Sequence, residues 1–283
     1  MATTLSPVAC IGALYTGSER GLAADVLSAR QLGLAPHTVC TALVAASHDR
    51  VTDLTEVPSD TVHSQLEHLS AVTSVEGVRI GVLGSPKNAE AVLDWASRLD
   101  VPVVLEIVAS GPSGETVLPA RGIDVVSSRL GVADLVIVSR QDAELITGGE
   151  IASLDDAQVA AQRITNRGAR RVIIHCGVLA ARFFDPADDP GGDGAPATFS
   201  SDLYFDGEDF SLFELPVQAD VDGIQSLHAI TALSALIEGA APETMLQAAT
   251  QQAVEAVRWA PQSSDGTPRL AYNWRHIRSL GDP

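Results

Sequence analysis

The residues best suited to chemistry are Asp222-Gly223-Ile224-Gln225-Ser226, followed by an apolar run over residues 227–236. Gly223 stands where a loop must turn into a helix. The run is rich in Ala and Leu and is followed by Gly239, the composition of a buried helix with a glycine stop. The first backbone N–H groups of such a helix have no partner within it, and its macrodipole adds about half a positive charge, so a phosphate or a developing oxyanion is favoured there. Helix starts with a glycine also occur in α/β proteins that bind no anion. The rest of the chain has to decide between the two readings.

The elements that would position this junction follow from hydrophobic patterning. Apolar runs at residues 8–14, 38–46, 78–84, 102–108, 134–139 and 171–176 read as strands. Between them, residues 21–33, 59–71, 86–99, 120–130, 142–147 and 154–167 read as helices. Continuous Val/Ile/Leu strands alternating with helices predict a mostly parallel sheet covered on both faces, with right-handed crossovers. Residues 180–184 and 202–215 read as antiparallel edge strands around an Asp/Pro/Gly-rich surface loop at 185–200. A last amphipathic helix over 242–259 closes a single domain of residues 1–260, and residues 261–283 form a polar, irregular tail. No internal repeat and no dividing linker is visible.

Composition bounds the function. A chain of 283 residues that is 46% hydrophobic can bury a sizeable core. No apolar stretch reaches a membrane span and the N-terminus lacks signal-peptide features, which predicts a cytoplasmic protein. Cys10, Cys40 and Cys176 lie far apart within strand-like runs, so buried free thiols are expected rather than disulfides or a zinc site. A formal charge of −18 argues against nucleic acid and anionic membranes as partners. Lys87 is the sole lysine, a bias that suits either a salt-loving host or a GC-rich genome.

Seven stretches occur in an order and spacing that resembles the hydroxymethylpyrimidine and phosphomethylpyrimidine kinases, relatives of pyridoxal kinases in the ribokinase-like superfamily. They are Gly21–Asp25 with Leu32-Gly33, Thr41-Ala42-Leu43, Ile80-Gly81-Val82-Leu83-Gly84-Ser85, Pro102-Val103-Val104-Leu105-Glu106, Glu144-Leu145-Ile146-Thr147-Gly148, Gly168-Ala169-Arg170, and Gly223 before its small-residue helix. The likeness runs from Val8 to about Val257, and colinearity carries it rather than any single motif. It implies an α/β three-layer sandwich, a small heteroaromatic substrate at the carboxyl edge of the sheet, ATP and Mg²⁺ alongside, and a homodimer.

The resemblance also assigns roles. Gly223, Ile224, Gln225 and Ser226 occupy the family's phosphate-holding helix start, whose last residue takes the proton from the substrate hydroxyl. Here the family's second glycine is Gln225 and its base is Ser226, and an unassisted serine cannot accept a proton near neutral pH unless a neighbour such as His228 or Asp222 helps. On the substrate side stand Tyr15, Ala46, Val82 and Thr41; on the nucleotide side, His175 and Gly177. Glu106 and Asp142 align with the metal-side carboxylates, although a strand-end glutamate and an aspartate capping a helix need no metal. Tyr15 would lie at the pocket mouth, either stacking on a flat ring or plugging the site. His48, His175 and His228 also read as ordinary hydrogen-bonded histidines. The frame is kept while the polar positions have changed, which leaves two expectations open: an active ATP-dependent kinase, or a catalytically silent relative that binds a small ligand or nucleotide as a regulator.

Overall fold

The computed structural model describes residues 5–177, 199–216, 222–258, 270 and 272. A nine-stranded sheet runs through it in the order β3-β2-β1-β4-β5-β6-β7-β8-β9. The strands are β1 (Ser6–Thr16), β2 (Leu34–Ala46), β3 (Val51–Glu56), β4 (Gly77–Ile80), β5 (Val103–Ile107), β6 (Leu135–Ser139), β7 (Val172–Gly177), β8 (Phe199–Phe205) and β9 (Phe210–Pro216). Strands β2, β1, β4, β5, β6 and β7 pair in parallel, while β3 at one edge and the β8–β9 hairpin at the other are antiparallel. The expected mostly parallel sheet with antiparallel strands at the edge is therefore present.

Eight α-helices accompany it among the described residues: α1 (Leu22–Gln31), α2 (Ser59–Val72), α3 (Pro86–Ala96), α4 (Ala120–Ser127), α5 (Arg140–Thr147), α6 (Leu154–Thr165), α7 (Ile224–Ile237) and α8 (Pro242–Arg258). Because successive strand residues face opposite ways, each buried strand feeds two cores. Val136, Val138, Val172 and Ile174 join one apolar cluster with residues of α2 to α6. Leu135, Ile137 and Ile173 join the other with residues of α1, α7 and α8. Helix α7 is buried on most of its surface, which fits its unbroken apolar composition.

Three differences from the sequence reading have local causes. Strand β3 was not expected: its sequence VTDLTE is polar and only part-buried, so an edge position hides its strand character. Strand β4 ends at Ile80, four residues earlier than its apolar run, and Gly84 turns the chain with φ 72° against the Ala42 methyl. Helix α5 is capped by Ser139, whose hydroxyl accepts the Asp142 N–H at 3.1 Å, so Asp142 sits at its third position and is not the cap. The expected strand at 180–184 and loop at 185–200 lie largely outside the described residues, as does most of the 261–283 tail. Of that tail, Leu270 is buried and Tyr272 reaches the start of α7. All three cysteines are free, with Cys40 only part-buried.

Candidate active site

Strand order reverses beside β1, and the carboxyl ends of β1, β4, β5, β6 and β7 converge on a cleft of about 270 Å³. Its far wall is the start of α7. Gly223 holds φ 89° as the N-cap residue, and a methyl there would press on the Tyr272 hydroxyl at 2.4 Å and the Glu19 carbonyl at 2.8 Å. Only glycine fits this turn. No side chain caps α7, so the N–H groups of its first turn are left for something in the cleft, which Gly223, Ile224, Gln225 and Ser226 all line. Gln225 is exposed at the wall and does not fill the site.

Opposite this helix start lies a buried charge cluster that the sequence reading missed. Arg79 comes from the middle of β4 and is 2% exposed. Its guanidinium bonds the Glu106 carboxylate through Nη2, and its Nε stands 3.3 Å from Oδ1 of Asp25, a residue of α1. The Ser226 hydroxyl approaches the same Asp25 carboxylate and favours its charged form. Burial pushes the Asp25 pKa up, with Arg79 pulling against it. A serine at the α7 start thus has a buried carboxylate as neighbour, whose two oxygens accept no hydrogen bond among the described residues, and that neighbour is neither His228 nor Asp222. His228 lies in another cluster, and Asp222 is taken by Arg20 at 2.8 Å and His48 Nδ1 at 3.0 Å. The available signal was an arginine inside an apolar strand and an aspartate inside an Ala/Leu helix, since charges in such places are rarely left without a task.

The other expected residues divide. Tyr15 and Val82 line the cleft; the Tyr15 ring packs over Gly21 and leaves the cleft open, so it does not plug it. Burial raises the Tyr15 pKa to about 12, keeping the phenol neutral. Ala46 packs into an apolar cluster beside Tyr15 and Val82 and is not part of the cleft wall. Thr41 is fully buried and spends its hydroxyl on the Val82 carbonyl at 2.6 Å, so it fixes the chain behind the site instead of touching a substrate. Gly177, at the end of β7, turns with φ 63° and does not line the cleft.

Glu106 and Asp142 both line the cleft, but they differ as metal ligands. Glu106 is clamped by Arg79, which competes with any cation. Asp142 keeps a buried Oδ1 without a hydrogen-bond partner, and burial raises its pKa against the hydrogen bonds from Ser110, Ala109 and Ser139, with the nearby Glu106 charge adding to the rise. Asp142 therefore fits a cation held in part through water, and Glu106 does not fit as a direct ligand.

His175 closes the cleft at the β7 end. Its Nδ1 is 2.8 Å from Oδ1 of Asp202 on β8, and its ring lies 5.4 Å from that of His228 on α7. Burial opposes charge on His175, yet the Asp202 carboxylate more than offsets it and raises the pKa; the pKa of His228, enclosed more fully, falls to about 4.

A mostly parallel sheet thus carries, at its carboxyl edge, an uncapped helix start beside a buried arginine–carboxylate cluster, the architecture of an α/β sandwich with its site at the switch point. The chain belongs to the phosphomethylpyrimidine kinase family, whose model matches residues 16–268. The hydroxymethylpyrimidine/phosphomethylpyrimidine kinase of Aquifex aeolicus is 28% identical over 198 residues, covering 69% of this chain and 71% of that protein. Among solved structures, the ADP complex of Bacillus subtilis pyridoxal kinase aligns over 97% of this chain and 100% of its own, with 18% identity and a TM-score of 0.79. The pyridoxal kinase of Staphylococcus aureus with AMP-PCP and pyridoxal covers 95% and 94%, with 21% identity and a TM-score of 0.78. The last two likenesses establish the fold.

Proposed function

We propose that the protein transfers the γ-phosphoryl group of ATP to the hydroxymethyl group of a small heteroaromatic ring, a pyrimidine of the kind its relatives are named for or pyridoxal. The observation that carries this reading is the buried Asp25 carboxylate beside Ser226 at the mouth of the uncapped α7 start, with Arg79 alongside. The amides of Ile224, Gln225 and Ser226 stabilise the transferring phosphoryl group. The substrate oxygen attacks phosphorus, the bond to the bridging oxygen of ADP breaks, and the hydroxyl proton passes by way of Ser226 to Asp25. A carboxylate whose pKa is raised by burial is a better base than an ordinary aspartate, and a positioned base contributes about 10²–10⁴-fold. This answers the loss of the family's base at position 226 and favours an active enzyme over a silent one. Mg²⁺ bound with ATP would neutralise phosphate charge, with Asp142 holding its water shell. Tyr15 and Val82 offer apolar surface to a flat ring.

Two further parts of the reading concern setting. Three free cysteines suit a reducing cytoplasm. Leu14 and Leu43 are register partners on β1 and β2 and are 46% and 50% exposed, an apolar pair that supports a homodimer through this face.

The test is turnover. Hydroxymethylpyrimidine, its monophosphate and pyridoxal are each incubated with Mg-ATP, and the product is followed by mass together with ADP release. Phosphorylation of at least one ring compound is expected. Absence of product from all three, together with an unchanged Tm in saturating Mg-ATP where occupancy at 100 times Kd adds about 2.7 kcal/mol, would leave the silent relative as the better description.

A further inference from the structure

Among the described residues, His175, Asp202 and His228 form the one group of three metal-binding side chains whose ligand atoms all lie within 4.8 Å of one another. Three separate elements bring them together: the end of β7, the neighbouring antiparallel β8 and the second turn of α7. Asp202 and His228 are 6% and 4% exposed. Neither ring nitrogen of His228 has a hydrogen-bond partner, and Nε2 of His175 has none either. Three buried imidazole nitrogens without partners in one place are costly, because each loses water and gains nothing in return. A metal ion that takes one nitrogen lone pair from each ring relieves two of the three.

We propose that His175, Asp202 and His228 bind a divalent transition metal, zinc by preference, at the end of the cleft opposite the Tyr15 wall. Two imidazoles and one carboxylate are a donor set for zinc-like ions and not for magnesium, which prefers oxygen. Tetrahedral bonds of about 2.0–2.2 Å set ligand atoms about 3.4 Å apart, so side chains already within 4.8 Å close by about 1.4 Å or less. His175 lines the cleft, so the fourth position faces it and is open to water or an anionic oxygen of a bound molecule. The site differs from the Asp142 position in donor chemistry and stands whether or not the kinase reading does, since it is read without nucleotide or ring compound.

The full chain, stripped of metal with a chelator, is titrated with Co²⁺ and followed by visible absorption, with bound metal counted by mass spectrometry. One equivalent is expected to produce the intense bands of a four-coordinate site, and one equivalent of Zn²⁺ to erase them. His228→Gln and Asp202→Asn are expected to weaken binding at least tenfold, while His63→Gln, which alters the exposed i,i+4 pair with Glu67, leaves it unchanged. The proposal is overturned if wild-type protein binds no stoichiometric Co²⁺, or if a folded His228→Gln or Asp202→Asn variant binds it as tightly as wild type. Should both variants fail to fold, the wild-type Tm decides: a Zn²⁺-dependent rise that Mg²⁺ does not reproduce supports the site, and no rise overturns it.

Discussion

Two arginine–carboxylate assemblies stand at different depths of the same cleft region. The inner one joins Arg79 to Asp25 and Glu106, with Arg79 and Asp25 only 2% and 1% exposed. The outer one joins Asp222 to Arg20 and His48, whose side chains are 22% and 30% exposed although Asp222 itself is enclosed. Similar groups meet with opposite results. Burial dominates at Asp25 and raises its pKa, whereas at Asp222 the His48 hydrogen bond and the Arg20 charge outweigh burial and lower it. The inner carboxylate is held where it takes a proton more readily, as a base requires. The outer one is held as a permanent charge, a structural brace just before Gly223.

The largest expected consequence is the loss of Arg79. Arg79→Met leaves Asp25 and Glu106 facing each other in a buried space without a cation, and removing one partner of a buried ionic group costs about 3–5 kcal/mol. Urea unfolding at pH 7 measures this. A loss below about 1 kcal/mol, the range of solvent-screened pairs, would erase the distinction between the inner and outer assemblies.

Asp25→Asn separates chemistry from stability. The amide keeps the volume of the carboxylate and loses its basicity, so kcat is expected to fall about 10²–10⁴-fold with little change in KM. The matching change outside, Asp222→Asn, is expected to lower stability by about 1 kcal/mol because solvent screens both partners, and to leave kcat within a few-fold. If Asp222→Asn lowered kcat as much as Asp25→Asn, the outer assembly would be the catalytic one.

How much of this was legible in the sequence differs between frame and site. The strands β5, β6 and β7 are continuous Val/Ile/Leu runs, and no other pattern satisfies two buried faces, so they could be read directly. The α7 start was legible for a similar reason, because a glycine before an apolar run has few other uses. Arg79 was hidden because one charge within an apolar strand does not disturb its period, and its partners are 54 residues before and 27 residues after it in the chain. Thr41 misled because a small polar residue in a matching motif serves a backbone carbonyl as readily as a ligand, and only its 2.6 Å bond to Val82 decides which. Asp202 had no local signal at all: its meaning comes from antiparallel pairing that sets it against His175.

The smallest effect is also the most specific, because it rests on sign. Asp222 has a lowered pKa in the folded chain, so it contributes stability above the unfolded carboxyl value near 3.9, and that contribution is lost as pH falls through the folded value. Asp25 has a raised pKa, so the folded chain holds its proton more tightly than the unfolded chain does; its contribution is present below about 3.9 and is lost as pH rises through the folded value. The stability of wild type relative to Asp222→Asn should therefore grow as pH rises from the acid side to about 3.9, while that of wild type relative to Asp25→Asn should shrink as pH rises above about 3.9. Denaturant unfolding of the three proteins at a series of pH values from well below the unfolded carboxyl value of about 3.9 up to neutral gives both slopes. Slopes of the same sign would mean that Arg79 governs Asp25 more strongly than burial does, and the inner carboxylate would then be a second brace and not a base.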